Sequence, residues 1–316
     1  MEFRIFTEPQ QGAGYHRLAK LASHAEDLGF NGFFVSDHYH VMGDRNPRAG
    51  PTDALTTLAG LARDTSSIRI GSLVCSATFR QPGRVAVIAA EIDQMSQGRL
   101  EIGIGAGWFD REHEALGIEF PQLKERFDRM EDQLEILHLF RDTPAESTFS
   151  FQGRTVSLVD CPPLPKAIHE NGIPIIVGGG GLKRTPDLAA RFADEFNFAF
   201  RSPEDFSDQR NRVRDACESK GRNPEDLIFS VAQVVCVADS ETELERRAAR
   251  IGRDPDEVRE NGVAGSPEQA VERILSFQKA GATRMYLQVL DEDDLDHINL
   301  IAESIAPLVD IEIQDA

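Results

Sequence analysis

The feature that most constrains the fold is a regular alternation of short apolar runs with helical patterns along all 316 residues. Parallel strands need a long crossover between them, which is usually a helix, so this alternation predicts a parallel sheet. Eight runs are typical of a (β/α)8 TIM barrel, and an open doubly wound sheet is the alternative. We favour the barrel because the count reaches eight and no early GxGxxG occurs. The predicted strands are 3–7, 32–36, 68–74, 99–104, 174–177, 195–200, 227–237 and 284–290.

The pattern continues without a linker, so we expect one TIM-barrel domain over residues 1–316 with insertions near 41–52, 143–171 and 240–264. A small hairpin is predicted over 149–156. Residues 240–260 form a highly charged helical pattern, which we interpret as a solvated surface element or a lid.

The balance of charges excludes some classes of partner. Asp and Glu number 53 against 34 Lys and Arg, giving a formal net charge of −19. This argues against nucleic-acid binding or membrane binding through the whole surface, although a local basic pocket can still hold a phosphate. Four scattered cysteines without a CxxC pair are typical of a reduced, cytoplasmic protein. No run approaches the roughly 20 apolar residues of a membrane span, and the N-terminus lacks a signal-peptide pattern.

Polar and small residues follow several of the predicted strands. In a barrel the carboxyl ends of all strands meet at one rim, where ligands bind. The sequence therefore predicts that one rim collects Glu8, Gln10, Asp37, His38, Cys75, Ser76, Thr78, Gly105, Gly107, Gly178 to Gly181 and Asn197.

Asp37 and His38 directly follow the second predicted strand. A histidine can give or take a proton near neutral pH, and a neighbouring carboxylate can fix its tautomer. The alternative is a capping aspartate beside a surface histidine.

The run Val177-Gly178-Gly179-Gly180-Gly181-Leu182-Lys183-Arg184 lies between a predicted strand and a predicted helix. Glycines there let backbone N–H groups face an anion in front of the helix N-terminus, and Lys183 and Arg184 add positive charge. We expect a phosphate site that differs from a P-loop, since no GK[ST] follows. A flexible tight turn is the alternative.

The run Trp108-Phe109-Asp110-Arg111-Glu112-His113 could suggest a metal site, but its spacing lacks the second histidine of an HExxH motif. A helix that starts with acidic first-turn residues is the better interpretation, and no metal is expected. Trp108 is either a core residue or a cover over a planar ligand.

Several of these stretches together resemble the bacterial luciferase-like superfamily of flavin and deazaflavin enzymes. The resemblance rests on residues 29–38 (GFNGFFVSDH), 98–108 (GRLEIGIGAGW), 125–130 (ERFDRM) and 176–181 (IVGGGG), in the family's order. Through Glu8-Pro9-Gln10 and Ser36-Asp37-His38-Tyr39 the chain is most similar to actinobacterial F420-dependent oxidoreductases. The resemblance implies a TIM barrel without a structural metal and a ring system lying across the strand ends.

The resemblance also implies roles for individual residues. Asp37 and His38 would flank the ring, and both are candidate catalytic residues. A bulge over Leu73–Ser76 would lie behind the ring, with Leu73–Val74 as the candidate for a non-prolyl cis peptide. The implied cofactor-binding set is Asp37, His38, Val74, Cys75, Ser76, Gly105, Gly107, Val177, Gly178, Gly179, Gly180, Gly181, Lys183 and Arg184, and the substrate pocket is Glu8, Gln10, Trp108 and Asn197.

The expected function is hydride transfer between coenzyme F420 and a small organic molecule, with His38 handling the accompanying proton. Trp108 stands where the sugar-phosphate dehydrogenases of the family have an acidic residue, so an apolar substrate is expected. One alternative is an FMN-dependent monooxygenase that works with a separate reductase, and another is a relative that binds no cofactor. A homodimer is expected by analogy with the family, and a reductase partner would supply reduced F420 or FMN.

Overall fold

The computed structural model describes residues 1–43, 49–169 and 171–309. The strands are β1 Glu2–Thr7, β2 Gly32–Val35, β3 Arg69–Ser76, β4 Leu100–Gly105, β5 Phe149–Gln152, β6 Ser157–Cys161, β7 Ile175–Gly178, β8 Glu195–Asn197, β9 Ile228–Val237, β10 Val263–Gly265 and β11 Arg284–Val289. The helices are α1 Tyr15–Asp27, α2 Ala54–Asp64, α3 Pro82–Ser96, α4 Asp110–Leu116, α5 Leu123–Asp142, α6 Arg184–Phe192, α7 Pro203–Ser219, α8 Glu241–Arg250, α9 Pro255–Asn261, α10 Pro267–Lys279 and α11 Leu295–Leu300.

Eight strands form a closed parallel ring in the order β1, β2, β3, β4, β7, β8, β9 and β11. The ring closes where β11 pairs with β1, with Glu2 opposite Arg284, and where β8 pairs with β9, with Glu195 opposite Ile228. The predicted barrel is therefore confirmed, and the open sheet is wrong. No helix in the described ranges has both the length and the apolar character needed to cross a bilayer.

Two layers of apolar side chains hold the barrel together. The larger core lies between the ring and the surrounding helices. A smaller cluster fills the inside of the ring, as in other barrels of this size. Its members are Phe6, Phe34, Leu73, Ile176, Ala232 and Tyr286.

Buried charges close the N-terminal end of the ring. Arg4 of β1 donates from both terminal nitrogens to the carboxylate of Glu101 on β4. Arg284 of β11 donates to Glu195 of β8, and the Tyr286 hydroxyl donates to the same carboxylate at 2.8 Å. Because each of these charges has an opposite charge in contact, the desolvation cost of burying them is offset.

Several predicted strands end one or two residues from the expected position, and two predicted elements differ by more. The strand expected over 195–200 stops at Asn197, and Phe200 takes a φ of +57°, which lies outside the extended conformation of a strand. The hairpin expected over 149–156 extends to Cys161. Its turn includes Arg154 and Thr155, whose backbone N–H groups donate to the carboxylate of Asp132 on α5.

The expected insertions occupy the surface of the barrel. The 143–171 segment carries the β5–β6 hairpin, and residues 44–48 of the 41–52 segment lie outside the described residues. Residues 240–264 form α8, α9 and the unexpected strand β10, which pairs with β9. Leu244, Ala248 and Val258 of this unit pack on Cys236 in a separate apolar cluster. The unit is therefore a surface element anchored at the C-terminal end of β9.

Removing one partner from the buried charges should destabilise the fold. Arg4→Met leaves the carboxylate of Glu101 without its bidentate donor but still paired with Arg69, so the loss of unfolding free energy should exceed about 1 kcal/mol and stay below the roughly 3–5 kcal/mol of a fully unpaired buried charge. Arg253→Met removes an exposed i,i+4 pair with Glu257 and should cost less than about 1 kcal/mol. Urea unfolding followed by circular dichroism measures both; equal effects would show that the buried cluster does not stabilise the ring.

Candidate active site

A cavity of about 600 Å³ opens at the C-terminal rim of the ring, opposite the buried charges. It is lined from the ends of β1, β2, β3, β4, β7 and β8, and more of its lining is apolar than polar. Among the residues predicted from the sequence, the structure brings together Glu8, Asp37, His38, Val74, Ser76, Gly105, Gly107, Trp108, Gly178 to Gly181 and Asn197 on its wall. A larger, more polar cleft lies beside it between α2, α3 and α5, away from His38.

The floor of the cavity is a bulge at the end of β3. The Leu73–Val74 peptide is cis, and the β3–β4 register shifts between Ser72 and Cys75, so both the predicted cis peptide and the predicted bulge are confirmed. The Val74 side chain lies over neighbouring strands that carry glycine. A Cβ would come within 2.6 Å of Val74 at Gly103, 2.8 Å at Gly105 and 3.1 Å at Gly178. The missing side chains therefore make room for Val74.

His38 stands on the wall with a fixed orientation. Its Nδ1 lies 2.9 Å from Oε1 of Glu112, and the other oxygen of Glu112 accepts the amide of Tyr39 at 2.8 Å. Glu112 is only 1% exposed. A carboxylate can only accept, so Nδ1 carries a proton and Nε2 is left for the cavity. Among the described residues no other group makes a hydrogen bond to the ring.

The charge state of His38 follows from the same contact. Burial alone would lower the pKa of the imidazole, but the hydrogen bond to Glu112 and the charges of Glu112, Glu8 and Asp37 outweigh it. The pKa of His38 therefore lies above its ordinary value. The imidazolium form consequently persists to higher pH than in a free histidine.

Asp37 has a different role from the one expected. Arg80 binds both of its carboxylate oxygens, at 2.5 and 2.9 Å, and also contacts Asp53 and the hydroxyl of Tyr39. This contradicts the expectation that Asp37 orients His38, because its oxygens already face a guanidinium. The ion pair instead ties the end of β2 to the loop after β3.

The glycine run lines the cavity as predicted, but its neighbouring cations do not. Arg184 forms ion pairs with Asp128 at 2.7 Å and Glu131 at 2.9 Å on α5, and Lys183 points to solvent outside the cavity wall. The cation on the wall is Arg201, whose guanidinium lies 5.9 Å from the centre of the Phe198 ring. Within the described ranges Arg201 forms no ion pair, so its charge is available to a ligand.

The glycine run itself is closely packed. A Cβ at Gly180 would lie 2.9 Å from the Phe198 ring, and one at Gly181 would lie 2.6 Å from Oγ1 of Thr185. Gly179 has a φ of +135°, which side chains rarely tolerate. Only glycines let the backbone of this segment reach the cavity.

Three residues expected in the site lie behind its wall. The Gln10 side chain accepts a hydrogen bond from Ser36 at 2.6 Å, and Val177 packs in the main core. Cys75 packs there too, because side chains alternate along a strand and its neighbours take the cavity side. Burial raises the pKa of the Cys75 thiol to about 12, so it stays protonated.

Sequence reasoning missed Glu112, Phe127, Phe198 and Arg201 as wall residues. Glu112 lies in α4, which confirms the helix expected after Trp108. Nothing in its spacing to His38 shows that the two side chains meet. Phe198 and Arg201 belong to the segment that leaves β8 early.

The mouth of the cavity carries apolar side chains that a ligand could cover. Trp108 is 63% exposed, Leu123 56% and Phe200 46%. Trp108 stacks on Phe109 and meets the His38 ring edge-on at 5.7 Å, so it belongs to the rim and not to the core. In the described part of the chain no three metal-binding side chains come together.

Similarity to known proteins assigns the chain to a family. The profile of luciferase-like monooxygenases matches residues 1–255, most of the sequence. The chain belongs to that family.

This luciferase-like protein is similar both to F420-dependent dehydrogenases and to a monooxygenase that binds FMN. An F420-dependent glucose-6-phosphate dehydrogenase of Microbacterium testaceum (strain StLB037) is 28% identical over 237 residues, which cover 74% of this chain and 68% of that protein. The structure of an F420-dependent secondary alcohol dehydrogenase in complex with an F420-acetone adduct aligns with a TM-score of 0.83 at 19% identity, over 98% of both chains. The oxygenating constituent of 3,6-diketocamphane monooxygenase of Pseudomonas putida, in complex with FMN, aligns with a TM-score of 0.73 at 19% identity. The alignment covers 97% of this chain and 98% of that chain.

The His38–Glu112 contact in this luciferase-like protein can be tested by NMR titration of the histidine ring. We expect the pKa of His38 in the unmodified protein to lie above the ordinary histidine value of about 6.5, because the hydrogen bond to Glu112 and the nearby carboxylates outweigh the effect of burial. Glu112→Gln removes the negative charge and the strongest partner that raises this pKa, so the pKa of His38 should fall. Glu114→Gln, an exposed change on the same helix, is the control. A titration curve unchanged by Glu112→Gln would contradict the assigned pairing.

Proposed function

We propose that the chain is an F420-dependent oxidoreductase that transfers a hydride to or from a small apolar organic substrate. The observation that carries the proposal is the single cavity wall that combines the Val74 floor, the glycine run and the His38–Glu112 pair. The dehydrogenases named above support the choice of cofactor.

The residues present fit a flat ring with an anionic tail. Val74 with Gly105 and Gly107 gives a low, apolar surface against which a ring can lie. The backbone of Gly178 to Gly181 can face a phosphate, and Arg201 supplies the positive charge that the sequence assigned to Lys183 and Arg184. A cavity of about 600 Å³ falls within the usual range for small-molecule sites.

F420 supplies the hydride donor or acceptor when bound. His38 supplies or removes the proton. When a carbonyl or alkene is reduced, Nε2–H of the imidazolium gives its proton to the atom that gains negative charge. In the opposite direction neutral Nε2 accepts the proton of an alcohol. Glu112 keeps Nε2 directed at the cavity in both states, because its own contact is with Nδ1.

The pKa of His38 sets the pH dependence of this step. Because it is raised, the protonated form needed for reduction is retained above the pH at which a free histidine loses it. Reduction should therefore decline as the pH rises through the pKa of His38, and oxidation should increase over the same interval.

The exposed apolar rim supports a hydrophobic substrate. Trp108 and Phe200 border the opening and can exclude water from a bound molecule. The amide of Asn197, one of the polar groups on the wall, already donates to Ser230 at 2.8 Å.

The second candidate is an FMN-dependent monooxygenase that receives reduced flavin from a separate reductase. It is favoured by the FMN complex on the same fold and by a floor that would accept a flavin equally well.

Fluorescence titration of the purified protein with F420 and with FMN decides between the two candidates. We expect saturable quenching with F420 at micromolar or lower concentration and weaker binding of FMN. Tight binding of FMN alone would overturn the proposal in favour of the monooxygenase. Failure of both would support a relative without a cofactor.

Arg201 gives the proposal a test at the level of one residue. Arg201→Gln should weaken F420 binding roughly three- to fivefold, up to about 1 kcal/mol, by removing the positive charge near the phosphate. The phosphate-free deazaflavin riboside should bind both proteins equally within about twofold. Lys183→Gln is the matched control, because it removes a cation outside the cavity wall. Equal loss for both ligands would show that Arg201 contacts the ring or shapes the cavity.

A further inference from the structure

Three side chains that the proposed reaction does not use form a chain of hydrogen bonds behind the cavity wall. The hydroxyl oxygens of Ser76 and Thr78 lie 2.6 Å apart, and Oγ1 of Thr78 lies 2.6 Å from Nε2 of His113. Nδ1 of His113 lies 2.7 Å from the carbonyl oxygen of Phe109. Ser76 lines the cavity, whereas His113 is fully buried. The three residues come from the end of β3 and from α4.

The direction of each bond follows from counting protons. A carbonyl oxygen only accepts, so Nδ1 of His113 carries a proton. The ring is buried and no carboxylate contacts it in the described part of the chain, which favours the neutral form with an unprotonated Nε2. Thr78 therefore donates its one proton to Nε2. Ser76 must then donate its one proton to Thr78.

The Ser76 hydroxyl lies on the cavity wall, where it can contact a ligand. With its proton already used, the Ser76 hydroxyl offers only lone pairs to the cavity. We infer that the Thr78–His113 pair holds Ser76 as a hydrogen-bond acceptor, so that the ligand group opposite it is an N–H or O–H donor. Where that ligand is taken to be F420, the inference rests on the proposed function. Ser76 is then a binding residue, and Thr78 and His113 are positioning residues.

Close packing surrounds the hydroxyl pair and the ring of His113. A Cβ at Gly107 would lie 2.5 Å from Oγ of Ser76 and 3.1 Å from Oγ1 of Thr78, so a glycine with φ of +77° covers the hydroxyl pair. The rings of Phe79 and Phe120 lie 4.8 and 4.7 Å from that of His113. Water is thus kept from the ring of His113, which is fully buried.

The chain is not a path for protons. Its far end is a peptide carbonyl, which cannot take up and pass on a proton at neutral pH. Its role is therefore to fix the polarity of one hydroxyl, and the proton of the reaction stays with His38 on a separate part of the wall.

The polarity is tested first in the protein without a ligand. Nitrogen-15 NMR at pH 7.5, with the signal assigned by its loss in His113→Gln, should show a neutral ring protonated at Nδ1. Thr78→Val should change the Nε2 shift, because the hydroxyl that donates to it is gone. A ring protonated at Nε2, or at both nitrogens, would overturn the inference whatever the cofactor.

The ligand half is tested by dissociation constants for F420 and for FMN, both of which carry a ring N–H. Ser76→Ala should weaken binding about five- to tenfold, the loss expected for one hydrogen bond. Thr78→Val should weaken it about threefold or more, because Ser76 is no longer held as an acceptor. Thr78→Ser should restore binding to within about twofold, since it keeps the hydroxyl.

The outcomes separate this inference from the proposed function. Ser219→Ala, on the exposed face of α7, is the control, and melting temperatures identify variants that lose only stability. Tight F420 binding that Ser76→Ala or Thr78→Val leaves unchanged would overturn the inference alone. Loss of F420 binding in the unmodified protein would overturn the proposed function alone if FMN binding still responds to Ser76. If neither cofactor binds, the ligand half is wrong and the NMR result still decides the polarity.

Discussion

The parallel hydrogen bonding that closes the ring of eight strands is the constraint on which the rest of the structure depends. It places the carboxyl ends of all eight strands at the same rim. The opposite end of the ring is filled by the paired charges of Arg4, Glu101, Glu195 and Arg284. Because those charges and the apolar cluster above them fill the interior, a ligand can enter from one side only. The cavity at that side is therefore a direct result of ring closure.

The site has two layers with different tasks. Strand ends and glycines supply a surface whose shape comes from the backbone. Behind them, buried partners set direction and charge: Glu112 turns His38, Arg80 neutralises Asp37, and His113 acts on Ser76 through Thr78. Such partners convert ordinary side chains into groups with one defined role.

Local patterns in the sequence were sufficient for much of this architecture. The barrel, the bulge beside Leu73–Val74 and the glycine run follow from strand periodicity, glycine placement and the family resemblance, all of which act over short stretches of chain. Contacts between distant residues could not be predicted in the same way. Arg184 follows the glycine run but turns to acidic residues of α5, and Glu112 lies 74 residues from His38. Both outcomes depend on helix placement, which short-range patterns do not specify.

The floor of the cavity has a consequence for how this sequence can diverge. The Val74 side chain occupies space left by Gly103, Gly105 and Gly178, so the four positions form one steric unit spread over three strands. A methyl group added at Gly105 would collide with Val74 unless position 74 became smaller in the same step, whereas one added at Gly103 would also collide with the backbone oxygen of Ser72. Epistasis of this kind favours paired replacements over single ones. The floor of the cavity therefore keeps its shape, while residues at the rim can be replaced and so alter which substrates fit.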